Sequence, residues 1–309
     1  MKAAVIDLGT NTFHLIIAEI SPAGVDVIYK TNVPVRLGEG RINDNVIIPE
    51  AFERGIRTLK EFRDKIDEYG AAVVRAIATS AVRSAGNGAD FVAAAAERSG
   101  IQIEVISGED EAAFIFTGVK ATGVIKDTSL IMDIGGGSTE FIICNADGYL
   151  WKKSYNIGAA RLMQAYFHSD PISAEDEQAI LHRLSSELPD LKTACAQYQP
   201  KVLIGSAGAF ETFAAMLLED TDIKNISSAA LDTAAYKELA KKLIRSTHAE
   251  RAAMPDLISL RVDMIVIAAL ITSYVLKELD LKAMSLSTYD LKMGVLYSIF
   301  EDQKPGNKD

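Results

Sequence analysis

The sequence predicts an α/β protein made of two duplicated domains with a cleft between them. Three observations carry this. The chain has 309 residues, more than one ordinary core, so two domains of about 150 residues are expected. Strand-like β-branched runs alternate with helical apolar stripes, the pattern of a sheet with crossover helices. Finally, the chain repeats itself at an offset of 126 residues. Val5-Ile6-Asp7-x-Gly9 lies on Ile131-Met132-Asp133-x-Gly135, Thr12 on Ser138, and Leu15-Ile16-Ile17 on Phe141-Ile142-Ile143. Such a period is far too long for a solenoid repeat.

Each copy opens as strand, glycine turn, strand, second turn and third strand, a β-meander. After the first meander, Pro49 opens a helix whose Phe52, Ile56, Leu59, Phe62, Ile66 and Tyr69 form one apolar stripe ending at Gly70. A strand Val73–Ala78, a helix near Asp90–Ser99, a strand Ile101–Ile106 and a helix from Glu109 follow. The second half repeats this more loosely. Its meander leads to helices over about 173–199, broken near Pro189, and a strand Val202–Gly205. Three further helices follow, with a short strand Met284–Leu286 before the last of them. The expected domains are 1–125 and 126–309, joined near Gly123–Asp127, with the last helix packing back on the first domain. The polar tail Gln303–Asp309 is expected to fray.

Composition narrows the function. Apolar residues at 49% and charged residues at 24% are those of a globular chain. A formal net charge of -10 argues against binding a nucleic-acid polymer, while a bound cation or local arginines still permit a phosphorylated ligand. Cys144 and Cys195 are too few for a disulfide framework, and the four histidines have no zinc spacing. No signal-peptide pattern follows Met1-Lys2, and charges interrupt the longest apolar stretch, so a cytoplasmic protein with no membrane partner is expected.

The chemistry concentrates at the turns. An Asp-x-Gly turn alone reads equally well as a hairpin. Gly135-Gly136-Gly137 followed by Ser138 and Thr139 goes further, because backbone N–H groups there can approach an anion without hindrance from Cβ. Asp133, ending the preceding strand, is then a candidate oxygen ligand for a hard cation. Glu109, Asp110 and Glu111 open a helix, where acids also serve simply to complement the dipole. Glu140 reads as a site residue or as a solvated strand position, and Arg83 as a phosphate clamp or an exposed loop residue. Gly205-Ser206-Ala207-Gly208-Ala209 is a third glycine loop or a tight turn capped by Ser206.

Paired glycine turns on duplicated meanders resemble the superfold of actin, heat-shock chaperones and sugar kinases, whose domains are ribonuclease H-like. Within it the chain resembles the exopolyphosphatase and guanosine pentaphosphate phosphatase family. The resemblance rests on Asp7-Leu8-Gly9-Thr10-Asn11-Thr12-Phe13-His14, Val35-Arg36-Leu37-Gly38-Glu39-Gly40 and Ala78-Thr79-Ser80-Ala81-Val82-Arg83. It continues through Ile106-Ser107-Gly108-Glu109-Asp110-Glu111-Ala112 and Asp133-Ile134-Gly135-Gly136-Gly137-Ser138-Thr139-Glu140, in order along essentially the whole chain.

The resemblance implies Mg²⁺-dependent hydrolysis of the terminal phosphoanhydride of polyphosphate, with guanosine pentaphosphate as the alternative substrate. K⁺ or another monovalent cation is the optional activator, and a homodimer is the family expectation. Glu111 takes the place of the glutamate that activates water, Arg83 that of the active-site arginine, and Asp133, Glu140 and Asp7 are the candidate metal ligands, with Glu140 also a candidate catalytic residue that positions the water. Gly9, Thr10, Asn11, Thr12, Gly135, Gly136, Gly137, Ser138, Thr139 and Gly208 are the candidate phosphate donors, with Arg36 a weaker one. The pattern departs at Ala209, Lys292 and Met293, where the family usually carries threonine, arginine and glutamate. Longer members carry a further C-terminal helical domain, so at 309 residues short or medium polyphosphate is expected to serve at least as well as very long chains. The rivals are a kinase of the same superfold, which would need a phosphoryl acceptor, and a weakly catalytic sensor of polyphosphate or an alarmone.

Overall fold

A computed structural model describes residues 1–218 and 221–303, and the tail beyond Gln303 lies outside them. The chain divides into two compact units, Met1–Ala121 with Leu291–Asp309, and Thr122–Asp290.

The first unit opens with the meander β1 (Lys2–Leu8), β2 (Phe13–Ser21) and β3 (Gly24–Val33). Helix α1 (Pro49–Tyr69) starts on its proline and buries Ile56, Leu59, Phe62 and Ile66, four members of the expected stripe. Then come β4 (Val73–Ala78), the short α2 (Ser80–Ser84), α3 (Gly88–Ser99), β5 (Ile103–Val105) and α4 (Gly108–Ala121). The sheet order is β3-β2-β1-β4-β5, antiparallel in the meander and parallel from β1 through β4 to β5.

The second unit repeats the plan with β6 (Ser129–Ile134), β7 (Thr139–Cys144) and β8 (Tyr149–Tyr155). Every residue of β6 and β7 is buried, which explains their continuous apolar runs. Helices α5 (Ala159–Tyr166), α6 (Ala174–Glu187) and α7 (Pro189–Tyr198) lead to β9 (Val202–Ser206) and α8 (Ala207–Leu217). Strand β10 (Ser228–Leu231), helices α9 (Thr233–Arg245), α10 (His248–Ala252) and α11 (Ile265–Glu278), and β11 (Ala283–Ser287) complete it. The sheet order is β10-β11-β9-β6-β7-β8. Reversed, this is the order of the first sheet with one more strand, β10, at the edge. Two mixed sheets on one plan give the duplicated, actin-like α/β fold. Helix α11 is buried from Ile265 to Thr272, as expected for an apolar run belonging to a core.

Helix α12 (Leu291–Glu301) returns to the first unit, where it packs along α4 and touches β1 and β2. The contact is close: a Cβ on Gly294 would lie 1.8 Å from the Phe114 carbonyl oxygen. Among the described residues no helix is long and apolar enough to cross a membrane.

Sequence reasoning missed α2, α5 and β10 and counted two helices too few between β9 and β11. Helix α5 begins on Gly158 with no side-chain cap, and β10 is four residues of Ser-Ala-Ala-Leu without a β-branched side chain. Neither gives a local signal.

Candidate functional site

The glycine turn of the second unit spans Gly135–Ser138, closed by the pairing of Ile134 with Thr139. Its three glycine carbonyls all face α5, while the Ser138 carbonyl accepts from Gly135 N–H. Ala159 N–H donates to Gly135, Ala160 and Arg161 N–H to Gly136, and Gly158 N–H with Arg161 Nε to Gly137. This contact needs glycine at 158, since a Cβ there would sit 2.5 Å from the backbone of Gly136 and Gly137. Turning the carbonyls one way turns the amides the other. Among the described residues nothing accepts from the N–H groups of Gly136, Gly137 and Ser138, or from the Ser138 hydroxyl. Consecutive backbone donors of this kind form an anion cradle.

Thr139 does not belong to that cradle as a donor. It is fully buried and its hydroxyl donates to the Ile157 carbonyl at 3.1 Å. The sequence reading placed it with the phosphate ligands because a hydroxyl's direction is not visible in a motif.

Beside the cradle, Asp133 and Glu140 are directly paired across β6 and β7, with 7% and 1% of their surface exposed. Glu140 is therefore no solvated strand position. Ser206 Oγ donates to Asp133 Oδ2 at 3.1 Å, and Ser154 Oγ to Glu140 Oε1 at 2.7 Å. Ser206 does not cap α8 with its side chain. Opposed carboxylates repel, and burial sharpens the repulsion. A hard divalent cation with oxygen ligands fits such a pair. Among the described residues no third acid, His or Cys completes a metal cluster.

Arg261, one of the charges that interrupt the longest apolar stretch, is a further candidate that sequence reasoning passed over. A Cβ on Gly208 would lie 1.7 Å from its Nη2, so the guanidinium lies against the third glycine loop. The guanidinium N–H groups make no hydrogen bond among the described residues, while the backbone N–H donates to the Ile258 carbonyl. Burial holds its pKa below the ordinary value, against the opposing charges of Glu211 and Asp133. Only its position before α11, and no local pattern, marks it.

In the first unit the turn Gly9–Thr12 joins β1 to β2, and the Thr10 and Asn11 carbonyls accept from the N–H groups of Gly38 and Arg36. The same device thus uses a different partner segment. Arg36 holds a left-handed backbone with φ of 51°, and its side chain is exposed. Asp7 is paired with His14, at the positions that Asp133 and Glu140 take in the second unit.

Glu111 lies in the first turn of α4, whose N-terminus Ser107 caps by accepting from Asp110 N–H. It is 8% exposed and is not a free dipole-facing acid. Arg83 Nη1 donates to Glu111 Oε2 at 2.9 Å and to the Ile106 carbonyl at 3.1 Å. A carboxylate this buried requires such a partner. Arg83 Nε and Nη2 make no hydrogen bond among the described residues, leaving one edge of the guanidinium for a further anion. The structure therefore gathers the candidates into two sets: Asp7, the first turn, Arg83 and Glu111 in one unit; Asp133, Glu140, the second turn, Gly208 and Arg261 in the other.

Known proteins with this chain's features agree. A solved exopolyphosphatase from Cytophaga hutchinsonii is 38% identical, with a TM-score of 0.95 over 98% of this chain and 99% of that one. The solved PPX-GPPA enzyme of Aquifex aeolicus is 25% identical, with a TM-score of 0.80 over 96% and 99%. A putative exopolyphosphatase of Haemophilus influenzae is 29% identical over 96% of this chain and 91% of its own length. A guanosine-5'-triphosphate,3'-diphosphate pyrophosphatase of Pseudoalteromonas translucida is 29% identical over 97% of this chain, which spans 59% of that protein. With residues 16–303 matching its family model, this chain belongs to the Ppx/GppA phosphatase family.

Proposed function

We propose that the protein is an exopolyphosphatase, hydrolysing the terminal phosphoanhydride of polyphosphate and releasing orthophosphate with the help of Mg²⁺. The observation that carries this is the run of open N–H donors at Gly136, Gly137 and Ser138 beside the buried pair Asp133 and Glu140. Donors for phosphate oxygens and carboxylates for a cation are what a phosphoryl-transfer site requires.

In this reading the amides of the second turn hold the terminal phosphoryl oxygens, with Gly9, Thr10, Asn11, Thr12 and Gly208 as further donors. Arg83, through its open edge, and Arg261 add positive charge as charge builds on those oxygens. Asp133 and Glu140 would hold the cation. When bound, Mg²⁺ supplies charge neutralisation at the transferring group. Glu111 accepts a proton from water as its oxygen bonds to the terminal phosphorus. The bridging P–O bond breaks, and the chain leaves one phosphate shorter.

Guanosine pentaphosphate is the second reading, favoured by the likeness to the Pseudoalteromonas protein, because it carries the same reacting group. Phosphate release from polyphosphates of graded length, guanosine pentaphosphate and ATP, with and without Mg²⁺, ranks the substrates. Phosphate appearing only with an added acceptor would instead indicate a kinase. Glu111→Gln is expected to cut turnover by about 10²–10⁴ with little loss of binding. Near wild-type turnover would remove Glu111 from the mechanism.

A further inference from the structure

The hydrogen-bond register places one residue from each strand of the second sheet in a single transverse row. Across the sheet, Ser228, Ser287, Ser206, Asp133, Glu140 and Ser154 are each paired with the next. Paired residues on neighbouring strands present their side chains to one face. The row is therefore a continuous polar stripe, one residue short of Ile134 and the glycine turn, with hydroxyls flanking both carboxylates.

The hydroxyl protons can be followed along it. Ser287 Oγ donates to the Tyr289 carbonyl at 2.7 Å. Ser206 Oγ also lies 3.4 Å from that carbonyl, but its closer acceptor is Asp133 Oδ2 at 3.1 Å. With Tyr289 already served, the one Ser206 proton is directed to Asp133. On the other side Ser154 directs its proton to Glu140.

The first sheet lacks this arrangement. Its equivalent row is Asn32, His14, Asp7, Ile77 and Glu104, so isoleucine stands where Ser206 does and histidine where Glu140 does. The flanking hydroxyls are thus a property of the second unit rather than of the shared plan. A hydroxyl suits the task for a physical reason. It fixes one oxygen of a carboxylate without cancelling the negative charge, whereas lysine or arginine in its place would compete with a cation.

We propose that Ser206 and Ser154 are positioning residues that orient Asp133 and Glu140 toward a divalent cation. This rests on the cation reading given under the proposed function. Groups that orient metal ligands typically affect affinity by about 10–100-fold.

The test is Mn²⁺ titration of the full chain by electron paramagnetic resonance, which reads free ion directly and requires no turnover. Ser154→Ala and Ser206→Ala are each expected to weaken Mn²⁺ binding by about 10–100-fold. Ser154→Thr, which keeps a hydroxyl, should restore affinity to within a few-fold of wild type. Ser228→Ala, at the far end of the row, should bind as wild type does. Thermal melts verify that each variant is folded, and Ser154→Thr against Ser154→Ala decides the matter if Ser206→Ala does not fold. Wild-type affinity in Ser154→Ala, equal weakening in Ser228→Ala, or no Mn²⁺ binding by the wild type would each overturn the proposal. Mn²⁺ binding with the expected pattern but no phosphate release from polyphosphate would defeat the functional reading alone.

Discussion

Glu111 and Arg83 stand 28 residues apart in sequence and share one hydrogen bond at 2.9 Å. Each side chain was visible as a motif residue, but their pairing depends on α2 and α4 following the paired parallel strands β4 and β5, which no local pattern encodes. The pairing also changes what Arg83 does. One nitrogen holds Glu111 and the Ile106 carbonyl, and the other edge remains for the proposed phosphate contact. A lysine can supply the charge but not both edges at once. Arg83→Lys is therefore expected to lower kcat/KM by roughly 10²-fold, the usual cost of one lost transition-state donor. Steady-state phosphate release checks it, and a loss under threefold would show that the fork is not used on both sides. Thr139 and Arg261 illustrate the limit from opposite directions. The motif promoted a hydroxyl that the Ile157 carbonyl already occupies, and it overlooked a guanidinium brought to Gly208 from outside any motif.

Elements with a full apolar period or a β-branched run were legible, and the rest were not. Helix α1 announces itself through its proline and its stripe, whereas the eight residues of α5 span barely two turns. Yet α5 is the element that turns the glycine carbonyls aside and frees the amides. The strand expected over Ile101–Ile106 contracts to Ile103–Val105, since only these residues continue the ladder with β4. Packing between α4 and α12 offers a test at this scale. Gly294 lies against the backbone of Phe114, one turn along α4 from Glu111. Gly294→Val must push the helices apart, at a cost of about 1–3 kcal/mol or more. A lower thermal midpoint is expected together with a reduced kcat, because α4 carries Glu111. An unchanged kcat in a destabilised variant would show that α4 tolerates the shift.

For the whole molecule, the duplication read at an offset of 126 residues recurs as two sheets with one strand order, and the sequence showed it because each meander kept its glycine turn. The divergence between the copies was harder to see. His14 and Glu140 occupy matched positions, and only register shows that each faces an aspartate. Burial in the second unit also sets a response to alkali. The thiols of Cys144 and Cys195 are pushed up to about 12 by burial, from an ordinary value of 9.0. Above that ordinary value an unfolded chain releases protons that the folded chain retains. The contribution of these thiols to stability is present below pH 9 and is lost as pH rises toward 12. The thermal midpoint should therefore fall between pH 9 and 11 more steeply in the wild type than in a Cys144→Ala, Cys195→Ala variant. Parallel slopes would show that the thiols are not the cause.

Helix α12 closes the unit that Met1 begins, so the second unit is an insertion in the chain of the first. A ribosome delivers residues in order, and domains fold as they emerge. All of Thr122–Asp290 is available to fold while α4 still lacks the neighbour that covers its flank. The unit whose residues appear first is thus completed last, and the helix bearing Glu111 is secured only once α12 has been synthesised. Nascent chains would accordingly carry the proposed phosphate cradle, already assembled, before the proposed base is fixed in place.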